Sequence, residues 1–138
     1  MKLQLVSQYG TLWARNPENL KQLRDLGKFS GVYVLCDGSM PVYIGRGRLS
    51  KRIQGATRSK KRGQHWDHFS WFVMKEQDFN HDAEALLLQL LPHYLRSLNR
   101  LRNDFVDATE VDQSKSQAVP IKRPNFAVKS KRGISRKT

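Results

Sequence analysis

Apolar residues recur along this chain in two periods, and the switches between them mark out its elements. Over 16–27, NPENLKQLRDLG, Leu20, Leu23 and Leu26 return at helical spacing. Asn16 is placed to accept from the first free amides, Pro17 suits the first helical position and Gly27 the stop. From 31 to 47, GVYVLCDGSMPVYIGRG, the period drops to two: Val32 and Val34 alternate with Tyr33 and Leu35, and Val42 and Ile44 flank Tyr43. That pattern predicts a β-hairpin. Paired positions in a hairpin have a constant sum, so Tyr33 and Tyr43 share a face only when the sum is even. A two-residue Asp37-Gly38 turn would make it odd. Pro41 suits a paired central strand poorly and favours a longer loop, so the expectation is a shared face.

Helical spacing returns over 48–56, RLSKRIQGA, with Leu49, Ile53 and Ala56 inward and Arg48, Lys51 and Arg52 at the flanks. A polar basic loop over 57–64 leads to a third strand at 67–75, DHFSWFVMK. Its alternation sends His68, Ser70, Phe72 and Met74 one way and Phe69, Trp71 and Val73 the other. A helix then begins near Asn80 and runs through HDAEALLLQLL until Pro92 bends or ends it, followed by a helical piece over 93–104. At 100° per residue, Ala83, Leu86, Leu87, Leu90 and Leu91 form one stripe, with Glu84 on its edge. Beyond Asp112 there is no apolar period, and a disordered tail is expected. The organisation is an N-terminal extension with a helix (1–28), a core (29–105) and a basic tail (106–138).

Charge sharpens this picture. The chain of 138 residues carries a formal net charge of +13. Eight Lys/Arg fall in 46–62 and eight more in 113–138, with no acid in either block. Charge so concentrated is self-repulsive unless a polyanion is near, and nucleic acid is the common one. A solvated surface serving solubility is the weaker reading, because mixed charges serve solubility as well. The lone Cys36 cannot form an internal disulfide, which fits a reducing compartment. The longest apolar run, near Ala85–Leu91, is too short to span a bilayer, and MKLQLV lacks the apolar core of a signal peptide. A soluble, cytoplasmic, nucleoid-associated protein is expected.

Glu84 is the most informative acid. A carboxylate at the border of a core calls for something positive opposite it, an arginine or a divalent cation. A glutamate in a first helical turn, favoured by the helix dipole, is an equal alternative on geometry alone.

Taken in order, Gly31-Val32-Tyr33, Tyr43-Ile44-Gly45, a helical Arg52, Glu84 in AEALLLQ and Asn99 form a series. This series resembles the GIY-YIG nuclease superfamily over about residues 29–103. The resemblance implies an α+β fold of the α/β type: a small three-stranded antiparallel sheet flanked by helices. It also implies cleavage of DNA phosphodiesters, double-stranded or branched, with one Mg²⁺ or Mn²⁺ per active site. Carried over by position, Glu84 would be the sole protein ligand to the metal, and Arg52 would stabilise charge on the scissile phosphate. Tyr33 would take a proton from the attacking water with Tyr43 in its network, Asn99 would hold the site by hydrogen bonding, and His68 would be a helper. A phenol needs adjacent positive charge to act near neutral pH, and Arg46, Arg48 and Arg52 stand near in sequence. With Lys51, Arg58, Lys60, Lys61 and Arg62 they would grip DNA phosphates. Trp66, Trp71 or Phe126 could stack on unpaired bases, although core packing suits Trp71 better. Taken singly, each residue also has a plain reading: strand tyrosines as β-formers, Arg52 as a surface helix residue, Asn99 as a helix cap and His68 as structural. A non-catalytic basic protein that binds DNA or RNA is the alternative function.

Overall fold

The computed structural model describes residues 4–60, 65–91, 105–114 and 117–122. The chain divides into two units, 1–108 and 109–138. In the second, the described residues form no helix or strand and all are exposed.

The first unit opens with strand β1 (Val6–Ala14), then α1 (Pro17–Asp25), β2 (Ser30–Asp37), β3 (Met40–Arg48), α2 (Leu49–Arg58), β4 (His68–Met74) and α3 (Phe79–Leu90). The sheet is antiparallel throughout, in the order β1-β4-β2-β3. It therefore has four strands, not the three expected. β1 escapes a period-two reading because its register slips twice, between Val6 and Gln8 and between Gly10 and Trp13. At the second slip Leu12 takes a positive φ of 52°, and its N–H donates to Ser70 Oγ at 2.9 Å. Such bulges are common on edge strands, where they discourage pairing with another chain.

α1 is built as the sequence implies. Asn16 Oδ1 accepts from the Asn19 N–H at 2.8 Å, Pro17 opens the helix, and Leu23 is buried between partly buried Leu20 and Leu26. α1 and α2 cover one face of the sheet, where Leu23, Leu49, Ile53 and Ala56 pack with Tyr33, Leu35, Trp66, Phe69, Trp71 and Val73. α3 covers the other face, where Val32, Val34, Ile44 and Met74 meet Leu87, Leu88 and Leu91. β4 alternates as expected, with Phe69, Trp71 and Val73 on the first face and Phe72 and Met74 on the second.

The hairpin reaches the expected shared face by a different route. Its tip is a two-residue turn, with Asp37 paired to Met40 and Cys36 to Pro41. An extra residue on β3 then shifts the register, so that Leu35 pairs with Tyr43 and Tyr33 with Gly45. Pro41 sits in a paired position because β3 is an edge strand, whose outward N–H positions have no ladder partner to lose.

α3 ends at Leu90 with Leu91 extended at ψ 140°, as a residue before proline prefers. Its buried face differs from the expected stripe. Asn80, Glu84, Ala85 and Leu91 are buried, whereas Leu86 and Leu90 are exposed among the described residues. Nearly every residue from 85 to 91 is apolar, so hydrophobicity could not choose the face; packing against the sheet chose it.

Phe69 is fully buried, with Trp13 and Trp66 edge-on to its ring. Replacing Phe69 with Ala should destabilise the unit by about 3–5 kcal/mol, read from chemical denaturation.

Candidate functional site

Three consecutive residues of β3, Gly45-Arg46-Gly47, relate Tyr33, Tyr43, Arg52 and Glu84 to one another. Tyr33 lies across the hairpin from Gly45 and is 2% exposed. Any side chain at position 45 would overlap the Tyr33 hydroxyl, so only glycine lets the phenol lie over the strand. Tyr43 sits beside it, partly buried, with ring centroids 6.2 Å apart and planes tilted by 32°. At Gly47, a Cβ would stand 2.8 Å from Arg52 Nε, and φ is 131°, a region that side chains resist. Arg52 comes from α2, whose buried Leu49, Ile53 and Ala56 fix the helix on the tyrosines' face. Tyr33, Tyr43 and Arg52 thus share one face of β3.

Arg46 alternates to the other face. It pairs with Val32 in the register, and its Nε lies 3.2 Å from Glu84 Oε1. Glu84 is 9% exposed and lies within the buried face of α3, not at its border. Of the readings open for Glu84, the structure selects a positive partner: Arg46, whose side chain is 42% exposed. That engagement also redirects Arg46, which meets a carboxylate on the face away from the phenols. Arg52 is the guanidinium on the tyrosines' own face. Glu84 and the Tyr33–Tyr43–Arg52 group therefore approach β3 from opposite faces. Between the two faces, the edge strand β3 carries no side chain at positions 45 and 47.

Other expected site residues lie elsewhere. His68 pairs with Cys36 near the hairpin tip, about 10 Å along β2 from Tyr33 at roughly 3.3 Å per residue, and on the opposite face. There its Nδ1 is 2.8 Å from Asp67 Oδ1, which also accepts from the Gly38 N–H at 2.7 Å. These bonds, the His68 contact foremost, hold the Asp67 carboxyl below the usual carboxylate range. Trp66 and Trp71 are core residues, so neither presents a ring for stacking on bases; Arg15 lies 4.2 Å over the Trp66 ring. Asn99, Lys61, Arg62 and Phe126 lie outside the described residues. Arg48, Lys51, Arg52, Arg58 and Lys60 are all exposed, as is Arg46.

Asn80 was not singled out by sequence reasoning. It is 8% exposed, one turn before Glu84, and its Oδ1 accepts no hydrogen bond among the described residues. The signal was the i, i+4 spacing from Glu84, hidden because an Asn at a helix start reads as a cap. Among the described residues no group of three or more His, Cys, Asp or Glu is clustered to hold a metal. A buried carboxylate with a carboxamide one turn away is an oxygen-only donor set. Oxygen donors of this kind suit hard cations such as Mg²⁺ and not zinc.

No protein-family model matches the chain, and no curated protein or solved structure is detectably similar to it. No helix among the described residues is long and apolar enough to cross a membrane.

Cys36 is buried, and burial, with the nearby Asp67 charge, pushes its thiol up to about 11. The thiolate is the reactive form, so at pH 8 the folded protein should react with a disulfide reagent roughly 100-fold more slowly than the unfolded chain, read by thiol titration with and without denaturant. The close fit at position 45 gives a second expectation. Gly45→Ala should destabilise the unit by roughly 1–3 kcal/mol, and Tyr33→Phe in the same chain should recover part of that loss in a denaturation midpoint.

Proposed function

We propose that the protein is a DNA endonuclease that hydrolyses phosphodiester bonds with one divalent cation, Mg²⁺ or Mn²⁺. The observation that supports this reading is the placement about Gly45–Gly47 of two phenols and a guanidinium on one face of β3, with a buried carboxylate held by Arg46 on the other. A purely structural edge strand has no need of it. Tyrosine packed over a strand glycine is a familiar way to stabilise a sheet. It does not account for a buried glutamate opposite the same strand, or for an arginine folded onto the next glycine.

In this reading Glu84 would hold a divalent cation, which would supply Lewis-acid stabilisation of charge on the phosphate. Arg46 holds the Glu84 carboxylate in place through the ion pair. Arg52 donates to the phosphate oxygens, where its planar fork suits two of them at once. Tyr43 is partly exposed whereas Tyr33 is not, so Tyr43 is the phenol that the attacking water reaches, and Tyr33 orients it from beneath. This reverses the division of labour expected from the resemblance, because burial separates the two rings. His68 has no part in the step. Arg48, Lys51, Arg58 and Lys60 hold the DNA backbone without reading bases. Such a protein works where DNA is, in the cytoplasm of a cell without a nucleus.

The same exposed cations support a second reading, a basic protein that binds DNA or RNA without cutting it. Supercoiled plasmid and a branched duplex, incubated with Mg²⁺, Mn²⁺ or EDTA, separate the two. Metal-dependent nicking by the wild type is expected, lost by roughly 100-fold or more in Glu84→Ala and Arg52→Ala while binding is largely kept. Binding with a steep salt dependence and no cleavage in either metal would leave the second reading standing.

A further inference from the structure

The buried face of α3 carries two polar side chains, Asn80 and Glu84, amid an otherwise apolar contact with the sheet. Asn80 Nδ2 donates to Gln77 Oε1 at 3.3 Å, which ties the amide back to the turn before the helix. Its Oδ1 is buried and accepts nothing among the described residues. An acceptor removed from water without a donor destabilises the fold, so it calls for a partner, a hydrogen-bond donor or a cation. The apolar neighbours Ala83, Leu87, Leu88 and Leu91 have no side-chain donor, and Arg46, the cation on this face, is engaged by Glu84.

Residues four apart on a helix stand with their Cβ atoms about 5–6 Å from each other, close enough for both side chains to reach one ion. A carboxylate and a carboxamide oxygen are both hard ligands of the sort Mg²⁺ and Mn²⁺ accept. The pairing divides the work. Glu84 brings the charge and is already held by Arg46, while Asn80 adds an oxygen that does not compete for the guanidinium.

We infer that Asn80 Oδ1 is a second oxygen ligand for the divalent cation carried by Glu84. The inference rests on the endonuclease reading, and its test needs neither DNA nor turnover. The full chain is titrated with Mn²⁺ and the free ion followed by electron paramagnetic resonance, for wild type, Glu84→Gln, Asn80→Leu and Asn80→Asp. Circular dichroism checks that each variant is folded. Glu84→Gln should lose the ion. Asn80→Leu should bind about tenfold more weakly than wild type. Asn80→Asp, which adds charge at the same place, should bind more tightly. Asn80→Leu titrating like wild type while Glu84→Gln loses the ion would overturn the inference and leave the role of Glu84 intact. Should Asn80→Leu not fold, an Asn80→Asp affinity equal to that of wild type would overturn it as well. Wild type and Glu84→Gln binding Mn²⁺ alike would remove both the Glu84 ligand and the Asn80 assignment.

Discussion

The one residue by which β3 exceeds β2 near the hairpin tip controls everything at the site. With Cys36 opposite Pro41 alone, the pairing sum is odd, and Tyr33 and Tyr43 would face opposite ways. The extra residue on β3 makes the sum even from Leu35 onward. It sends both phenols to the face covered by α2 and sends Arg46 to the face covered by α3. A slip by one residue would put Arg46 on the face of Tyr33, send Tyr43 to the other face and take Arg46 away from Glu84. Packing of Ile44 and Val34 on one face and of Leu35 and Val42 on the other resists that slip, because it would expose each set in turn.

From that register follows a candidate site built around an edge strand, with groups on both of its faces. An edge strand suits such a role: its outer backbone row is open, and at Gly45 and Gly47 no side chain stands between the faces. The glycines have distinct reasons to be there. Gly45 yields its space to a phenol, whereas Gly47 yields to a guanidinium and also adopts a backbone angle that a side chain resists. Buried charge is tolerated on the far side because Glu84 has Arg46, and a single arginine thereby links helix α3 to the strand that carries it. The opposite edge, β1, is interrupted by two register slips, so the two sheet edges differ in what they can present to a partner.

How far the sequence could be read depended on how much local pattern each element held. α1 was fully legible, since a cap, a proline and three leucines all pointed the same way. β4 and α2 were legible from strict alternation and from the spacing of Leu49, Ile53 and Ala56. β1 was not, because bulges destroyed its period, and the orientation of α3 was not, because an almost uniformly apolar run has no preferred face. Among the candidate residues, Tyr33, Tyr43, Arg46, Arg52 and Glu84 were visible as types in order. Asn80 was invisible, because an asparagine near a helix start has a commoner explanation.

By itself the sequence determined the kinds of element from α1 to α3 and the concentration of positive charge after the second tyrosine. These depend on local periodicity and on residue type, which neighbours in the chain are enough to express. The bulge on β3 that puts the two tyrosines on one face was not legible in the sequence. Only the tertiary structure decided that Arg46 meets Glu84 and not the phenols, that Tyr33 is buried where Tyr43 is not, and that His68 belongs with Asp67. Each of those outcomes depends on which strand lies at the edge and which helix covers which face, and that is settled by packing between segments far apart in the chain.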